Sequence, residues 1–133
     1  MLGGTLRRGS EIVAEAVGLD AALADADLVV TGEGRIDSQT VQGKTPIGVA
    51  RVAARHGCPV IAIGGCLAND SAVVHAHGLD ATLAAVSRAC TQAEALAEAE
   101  SNLQRVARNA AALLRLGMHL TPPASPAAPA SGE

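Results

Sequence analysis

The sequence predicts an α/β fold, a parallel sheet of about three strands with helices on its faces. Three observations carry this expectation. Short aliphatic runs, "DLVVT", "PVIAIGG" and "ATLAAV", are separated by segments with helical periodicity. The middle run is unbroken and bounded by Pro59 and Gly64-Gly65, which suits a strand covered on both faces. The resulting order of helix, strand, helix, strand, helix, strand, helix implies right-handed crossovers between parallel strands. With 133 residues the chain is one domain or a piece of a larger one.

The elements follow in order. Ser10 precedes "EIVAEAVG", where Ile12, Val13, Ala16 and Val17 fall on one helical face and Gly18 marks a stop. Asp20 caps a short second helix through Ala24. "DLVVT" reads as a strand ending at Thr31, followed by a loop from Gly32 to Lys44. Thr45 as N-cap with Pro46 at the first helical position opens the next helix, with Val49, Val52 and Ala53 inward and Gly57 closing it. After "PVIAIGG", the stretch "NDSAVVHAHG" reads as a short helix ending at Gly78, and "ATLAAV" as the third strand. Thr91 and Glu94 form a capping box for the last helix. Its apolar residues Leu96, Ala99, Leu103, Val106, Ala110 and Leu113 recur at steps of three and four, predicting one face packed on the sheet, and Gly117 ends it. Residues 120–133, rich in proline and alanine, are expected to be a disordered tail beyond a unit spanning 1–119.

Composition narrows the function. The net charge is −3 and there is no Phe, Tyr or Trp, so neither a basic patch nor stacking aromatics argue for nucleic acid. The core is left to Ala, Val, Leu and Ile, which predicts modest stability. No apolar run reaches the roughly 18 residues that a membrane span needs, and the N-terminus has no secretory pattern. Cys58, Cys66 and Cys90, odd in number and without CxxC spacing, fit reduced, buried thiols in a cytoplasmic protein. His75 and His77 lack further metal ligands and read as surface or helix-end residues.

Chemistry concentrates in one segment, "GEGRIDSQTVQGK". It lies beyond the carboxyl end of the first predicted strand, where parallel sheets bind ligands. Lys44 precedes a helix N-terminus, which exposes unpaired N–H groups and partial positive charge to an anion, and Gly43 lets backbone approach it. A Walker A loop is excluded, because the first glycine of GxxxxGK[ST] would fall at position 38, which is Ser38. Glu33, Arg35 and Asp37 alternate, so in extended backbone they point the same way. Cations for phosphate oxygens, carboxylates for Mg²⁺ and a base near a hydroxyl are the parts that phosphoryl transfer uses. Gln39 and Thr40 add neutral hydrogen-bonding groups suited to a polyhydroxylated substrate. Spacing alone leaves a second reading open, a solvated loop whose charges pair with each other.

The stretch "ADLVVTGEGRIDSQTVQGKTPIGVARVA" resembles the signature region of the bacterial glycerate kinase family. "PVIAIGG", "VVHAHGLDA", "LRRGSEIVAEAVGLDAALADADLVVTGEGR" and "AEALAEAESNLQRVARNAAALLRLG" resemble it too, so the likeness runs from about Leu2 to Gly117. It implies transfer of phosphate from ATP to a hydroxyl of D-glycerate, with Mg²⁺, in a two-domain α/β enzyme with its site between the domains. It also implies that this chain corresponds to the C-terminal portion of a longer enzyme, a fragment with Met1 where relatives have interior sequence. On the matching positions, Asp37 and Glu33 are implied to contact Mg²⁺ or the substrate hydroxyl, and Arg35 and Lys44 the glycerate carboxylate or ATP phosphates. Gln39, Thr40, Gly32, Gly34 and Gly43 complete the implied substrate-binding set. The expected partners are glycerate, ATP, and either a missing N-terminal half or a second copy. A non-catalytic module that binds an anion or nucleotide, or docks a partner, is the alternative. A partial chain is also expected to expose apolar surface on the Ile12-Val13-Ala16-Val17 face and on the outer side of the last helix.

Overall fold

A computed structural model describes residues 7–120, so the predicted tail from Thr121 onward lies outside the described residues. Among them the order is α1 (Gly9–Ala16), α2 (Leu19–Leu23), β1 (Val29–Ile36), a 3-10 helix (Ser38–Gln42), α3 (Thr45–Arg55), β2 (Val60–Leu67), a second 3-10 helix (Ser71–His77), β3 (Ala81–Ala84), α4 (Gln92–Ala97) and α5 (Ala99–His119). The strands form one parallel sheet in the order β1-β2-β3, with Val29 opposite Val60 and Ile61 opposite Ala81. The expected α/β class and strand number hold.

The main core lies between α3 and one face of the sheet. Alternation along the strands sends Val29, Val60 and Ala62 to that face, where they meet Ile47, Ala50 and Ala53 of α3 together with Val74 and Leu79. Ile47 is 1% exposed. Ile47→Ala is therefore expected to cost about 2–5 kcal/mol, the range for deleting a buried aliphatic side chain, read from urea unfolding. A small second cluster on the opposite face joins Ile63, Leu83 and Ala85 to Val106 of α5.

Several boundaries differ from expectation, each for a physical reason. β1 does not stop at Thr31; it continues through Gly32-Glu33-Gly34-Arg35-Ile36, hydrogen-bonded to β2. β2 likewise runs through Gly64-Gly65-Cys66 to Leu67. The glycines permit this, because a Cβ on Gly65 would lie 2.5 Å from the Gly34 carbonyl oxygen. The N-cap of α3 is Lys44, with Thr45 inside the helix, and Gly9 rather than Ser10 opens α1. Ser10 instead packs on α3 at Gly48, where a Cβ would come within 2.8 Å of its side chain.

The last helix is broken at Glu98, which ends α4 and begins α5, and α5 passes Gly117 to His119. Its apolar stripe is not packed on the sheet as expected. Only Val106 is buried, while Leu96, Leu103 and Leu113 are exposed. Ile12 and Val13 of α1 and Val17 at its C-cap are also exposed, the face expected to be open. Cys58 is buried as expected, but Cys66 is exposed at the end of β2 and Cys90 is half-buried.

The predicted capping box is present, with the Thr91 hydroxyl accepting from the Glu94 N–H and the Glu94 carboxylate accepting from the Thr91 N–H at 2.7 Å. That backbone bond, followed by the Thr91 hydroxyl, holds the Glu94 carboxyl below its ordinary 4.5. Because folding lowers this pKa, its stabilising contribution is complete above 4.5 and is lost as pH falls through the lowered value. Acid titration followed by circular dichroism should show α4 loosening in that window, and Glu94→Gln should flatten the response.

Candidate functional site

β1 delivers the first two charged residues. Glu33 and Arg35 lie two positions apart near the end of an edge strand, Glu33 partly buried and Arg35 exposed. Asp37 follows at the strand's carboxyl end and serves as N-cap of the Ser38–Gln42 turn. Its carboxylate accepts the Gln39 N–H at 3.0 Å, and its own N–H donates to the Thr40 hydroxyl at 3.1 Å. The turn ends at Gly43, whose φ of 104° is left-handed backbone that favours glycine, and the chain enters α3 through Lys44. This tight return is what carries Lys44 back over β1.

The result is a convergent cluster. Lys44 Nζ stands 3.8 Å from Glu33 Oε1 and 3.7 Å from Asp37 Oδ1. Arg35 Nε donates to Asp37 Oδ2 at 3.1 Å. Two features set the cluster apart from a closed surface network. The lysine contacts are longer than hydrogen bonds, so the ammonium is held between two carboxylates without being used up by either. Glu33 Oε2 is buried and has no hydrogen-bond partner among the described residues, an arrangement that costs free energy unless something else binds there.

The remaining predicted residues take supporting places. Thr40 is fully buried and holds Asp37 rather than facing open space. The Gln39 side chain is exposed and its backbone supports the Asp37 carboxylate. Gly32 and Gly34 let β1 lie close to β2: a Cβ on Gly32 would sit 3.0 Å from the Ile63 carbonyl oxygen. Arg35 also borders a groove of about 410 Å³ shared with Cys66, Asn69 and Asp70 at the carboxyl ends of β1 and β2. Hydrogen bonding to Ser38 holds the Asp70 carboxyl below its ordinary range, with Arg35 assisting. Ser38, Asn69 and Asp70 were not singled out from the sequence. The rule that ligands gather beyond parallel strand ends points to Gly64-Gly65-Cys66 after the second aliphatic run, but it does not name these three side chains.

A larger cleft of about 710 Å³ lies between α1, α2 and α3. Its charges satisfy one another, with Arg7 to Glu15 at 2.7 Å, Arg55 to Asp20 at 3.3 Å and His56 to Asp20 at 2.9 Å. Among the described residues it offers no buried, unpartnered side-chain oxygen like Glu33 Oε2.

No group of three or more His, Cys, Asp or Glu residues that could hold a metal ion occurs among the described residues. Two carboxylates, one with an orphaned oxygen, nevertheless fit a Mg²⁺ that keeps most of its ligands from phosphates and water. No described helix is long and apolar enough to cross a membrane.

The chain is similar to known proteins over most of its length. The chain is 49% identical over 117 residues to Glycerate 2-kinase of Escherichia coli (strain K12), covering 88% of this chain and 31% of that one. It is 50% identical over 111 residues to Glycerate kinase of Bacillus subtilis (strain 168), covering 84% and 29%. A crystal structure from Salmonella typhimurium LT2 assigned as a glycerate kinase 2 superposes with a TM-score of 0.67 at 52% identity, covering 89% of this chain and 30% of that one. The chain thus spans about 30% of the length of the relatives it matches. Residues 1–115 match the model of the glycerate kinase family, and the chain belongs to that family.

Proposed function

We propose that this chain supplies one wall of a glycerate kinase active site, in which phosphate passes from ATP to a hydroxyl of D-glycerate. The observation that carries this reading is the pairing of an under-used cation with an orphaned carboxylate oxygen, Lys44 Nζ and Glu33 Oε2, at the mouth of a parallel sheet. Lys44 and the start of α3 hold phosphate oxygens, and Arg35 holds phosphate or the glycerate carboxylate. Asp37, oriented by Gln39 and Arg35, receives the proton of the attacking hydroxyl. That hydroxyl oxygen bonds to the γ-phosphorus as the bond from phosphorus to the leaving oxygen of ADP breaks. Glu33 and Asp37 are the residues that would hold Mg²⁺, which when bound neutralises charge on the phosphates. Thr40 acts through Asp37. The name of the Escherichia coli relative favours the 2-hydroxyl as acceptor.

The rest of the site comes from polypeptide corresponding to the part of the longer relatives outside the matched segment. The test is a coupled assay for ADP release with ATP, Mg²⁺ and D-glycerate, run on the chain alone and on a chimera in which it replaces the matched segment of the Escherichia coli enzyme. We expect glycerate-dependent turnover from the chimera, 2-phosphoglycerate as the product by phosphorus NMR, and nucleotide binding without turnover from the chain alone. A chimera that folds and binds ATP but never turns over would favour a non-catalytic nucleotide-binding module and overturn the kinase reading.

A further inference from the structure

The loop after β2 carries an acidic residue that the proposed mechanism leaves unused. Asp70 stands at the N-cap position of the Ser71–His77 helix, where an aspartate ordinarily accepts from the helix's own first N–H groups. Its side chain makes no such bond. The Asp70 carboxylate instead faces Ser38, accepting from that residue's hydroxyl and backbone N–H. Ser38 follows Asp37 and opens the turn that fixes the Asp37 carboxylate.

Backbone hydrogen bonds keep the two loops in register. The Ala68 N–H donates to the Ile36 carbonyl at 2.9 Å, just past the last ladder pair of Ile36 with Leu67. The Ser71 N–H then closes a turn on the Ala68 carbonyl at 3.0 Å. The two 3-10 helices that follow these strands pack against each other, with Thr40 of one and Val74 of the other fully buried. Arg35 borders the same groove as Asp70, and its Nε is bonded to Asp37 at 3.1 Å. Asp70 therefore reaches Asp37 by two routes, the Ser38 turn and the Arg35 charge. The bonds that Gln39 and Thr40 make to Asp37 lie within the turn and travel with it. Asp70 ties that turn to the neighbouring strand's loop. We propose that Asp70 is a positioning residue of the kinase site, holding Ser38 and Arg35 and through them the Asp37 carboxylate. This rests on the reading of Asp37 as the proton acceptor, and it adds the residue on a second strand that keeps the acceptor in place. Such placement matters because a misplacement of about 1 Å can cost about 10²-fold in rate.

The test includes a readout that needs no turnover. In the isolated chain, Asp70→Ala is expected to speed amide hydrogen exchange at Gln39 and Thr40 about tenfold, because the turn then opens locally, while the interior of α3 stays protected. These two amides donate to Asp37 and report its hold directly. In the chimera with the Escherichia coli enzyme, the same change should lower turnover about tenfold, the scale of one or two lost hydrogen bonds, with KM for ATP nearly unchanged. Asp70→Asn keeps an oxygen that accepts from Ser38 and should recover most of that loss. Ser38→Ala added to Asp70→Ala should lower turnover little further, since the hydroxyl has already lost its partner. Unchanged exchange at Gln39 and Thr40 would overturn the inference whether or not the chimera turns over. So would an asparagine variant as impaired as the alanine one, which would assign Asp70 a direct role toward substrate or metal. A chimera without turnover, combined with faster exchange in the isolated chain, overturns the kinase reading and supports the anchoring of Asp37.

Discussion

Replacing Asp37 by asparagine in the chimeric enzyme is expected to lower turnover by about 10²–10⁴-fold, the range for removing a positioned general base or its equivalent. The substitution keeps the shape of the side chain. An asparagine carbonyl can still accept the Gln39 N–H that fixes the turn, so the fold should survive and circular dichroism should be unchanged. What is lost is the charge that Lys44 and Arg35 both face. Turnover number and KM are to be measured separately. A drop in turnover with a nearly unchanged KM for ATP is the predicted pattern, and an unchanged rate would rule out a metal or proton-accepting role for this residue.

The second large effect concerns the backbone beneath the site. A Cβ at Gly65 would lie 2.5 Å from the Gly34 carbonyl oxygen, a distance that real Cβ atoms essentially never show. The obstacle is backbone within a parallel ladder, so relief requires β1 and β2 to part between Glu33 and Arg35. Gly65→Ala is expected to cost about 1–3 kcal/mol, as overpacking does, and to spread the two charged residues. Gly34→Ala is the control. Its Cβ would meet nothing within 4 Å, so its stability should change by no more than about 0.5 kcal/mol. Urea unfolding of the pair decides the point, and equal destabilisation would show that the close approach of the strands is not the cause.

The contrast between these glycines shows where the sequence was readable. The aliphatic starts of all three strands, the Thr91–Glu94 box and the Thr45-Pro46 helix start were plain, because each has a local pattern with a local cause. The second half of β1 was not. Glycine alternating with charge carries no hydrophobic signal, and what makes it a strand is the space left by Gly64 and Gly65 on the neighbouring β2. Even so, the alternation of Glu33, Arg35 and Asp37 marked the segment, and the structure places Glu33 and Asp37 on either side of Lys44 with Arg35 paired to Asp37. Thr40 read as a ligand-facing hydroxyl, yet it is buried beneath Asp37, a distinction that only tertiary packing can make. The α5 stripe was legible as amphipathic. Its periodicity does not specify which surface it meets, and a three-stranded sheet is too small to cover it.

The most direct measurement of the central proposal is an NMR titration of the isolated chain with MgATP and with D-glycerate. The backbone amides of Glu33, Arg35, Asp37, Gln39 and Lys44 should shift first and saturably, and Lys44→Met should remove the response to MgATP while leaving the rest of the spectrum in place. Shifts confined to the cleft between α1 and α3, with the Glu33–Lys44 cluster silent, would contradict it.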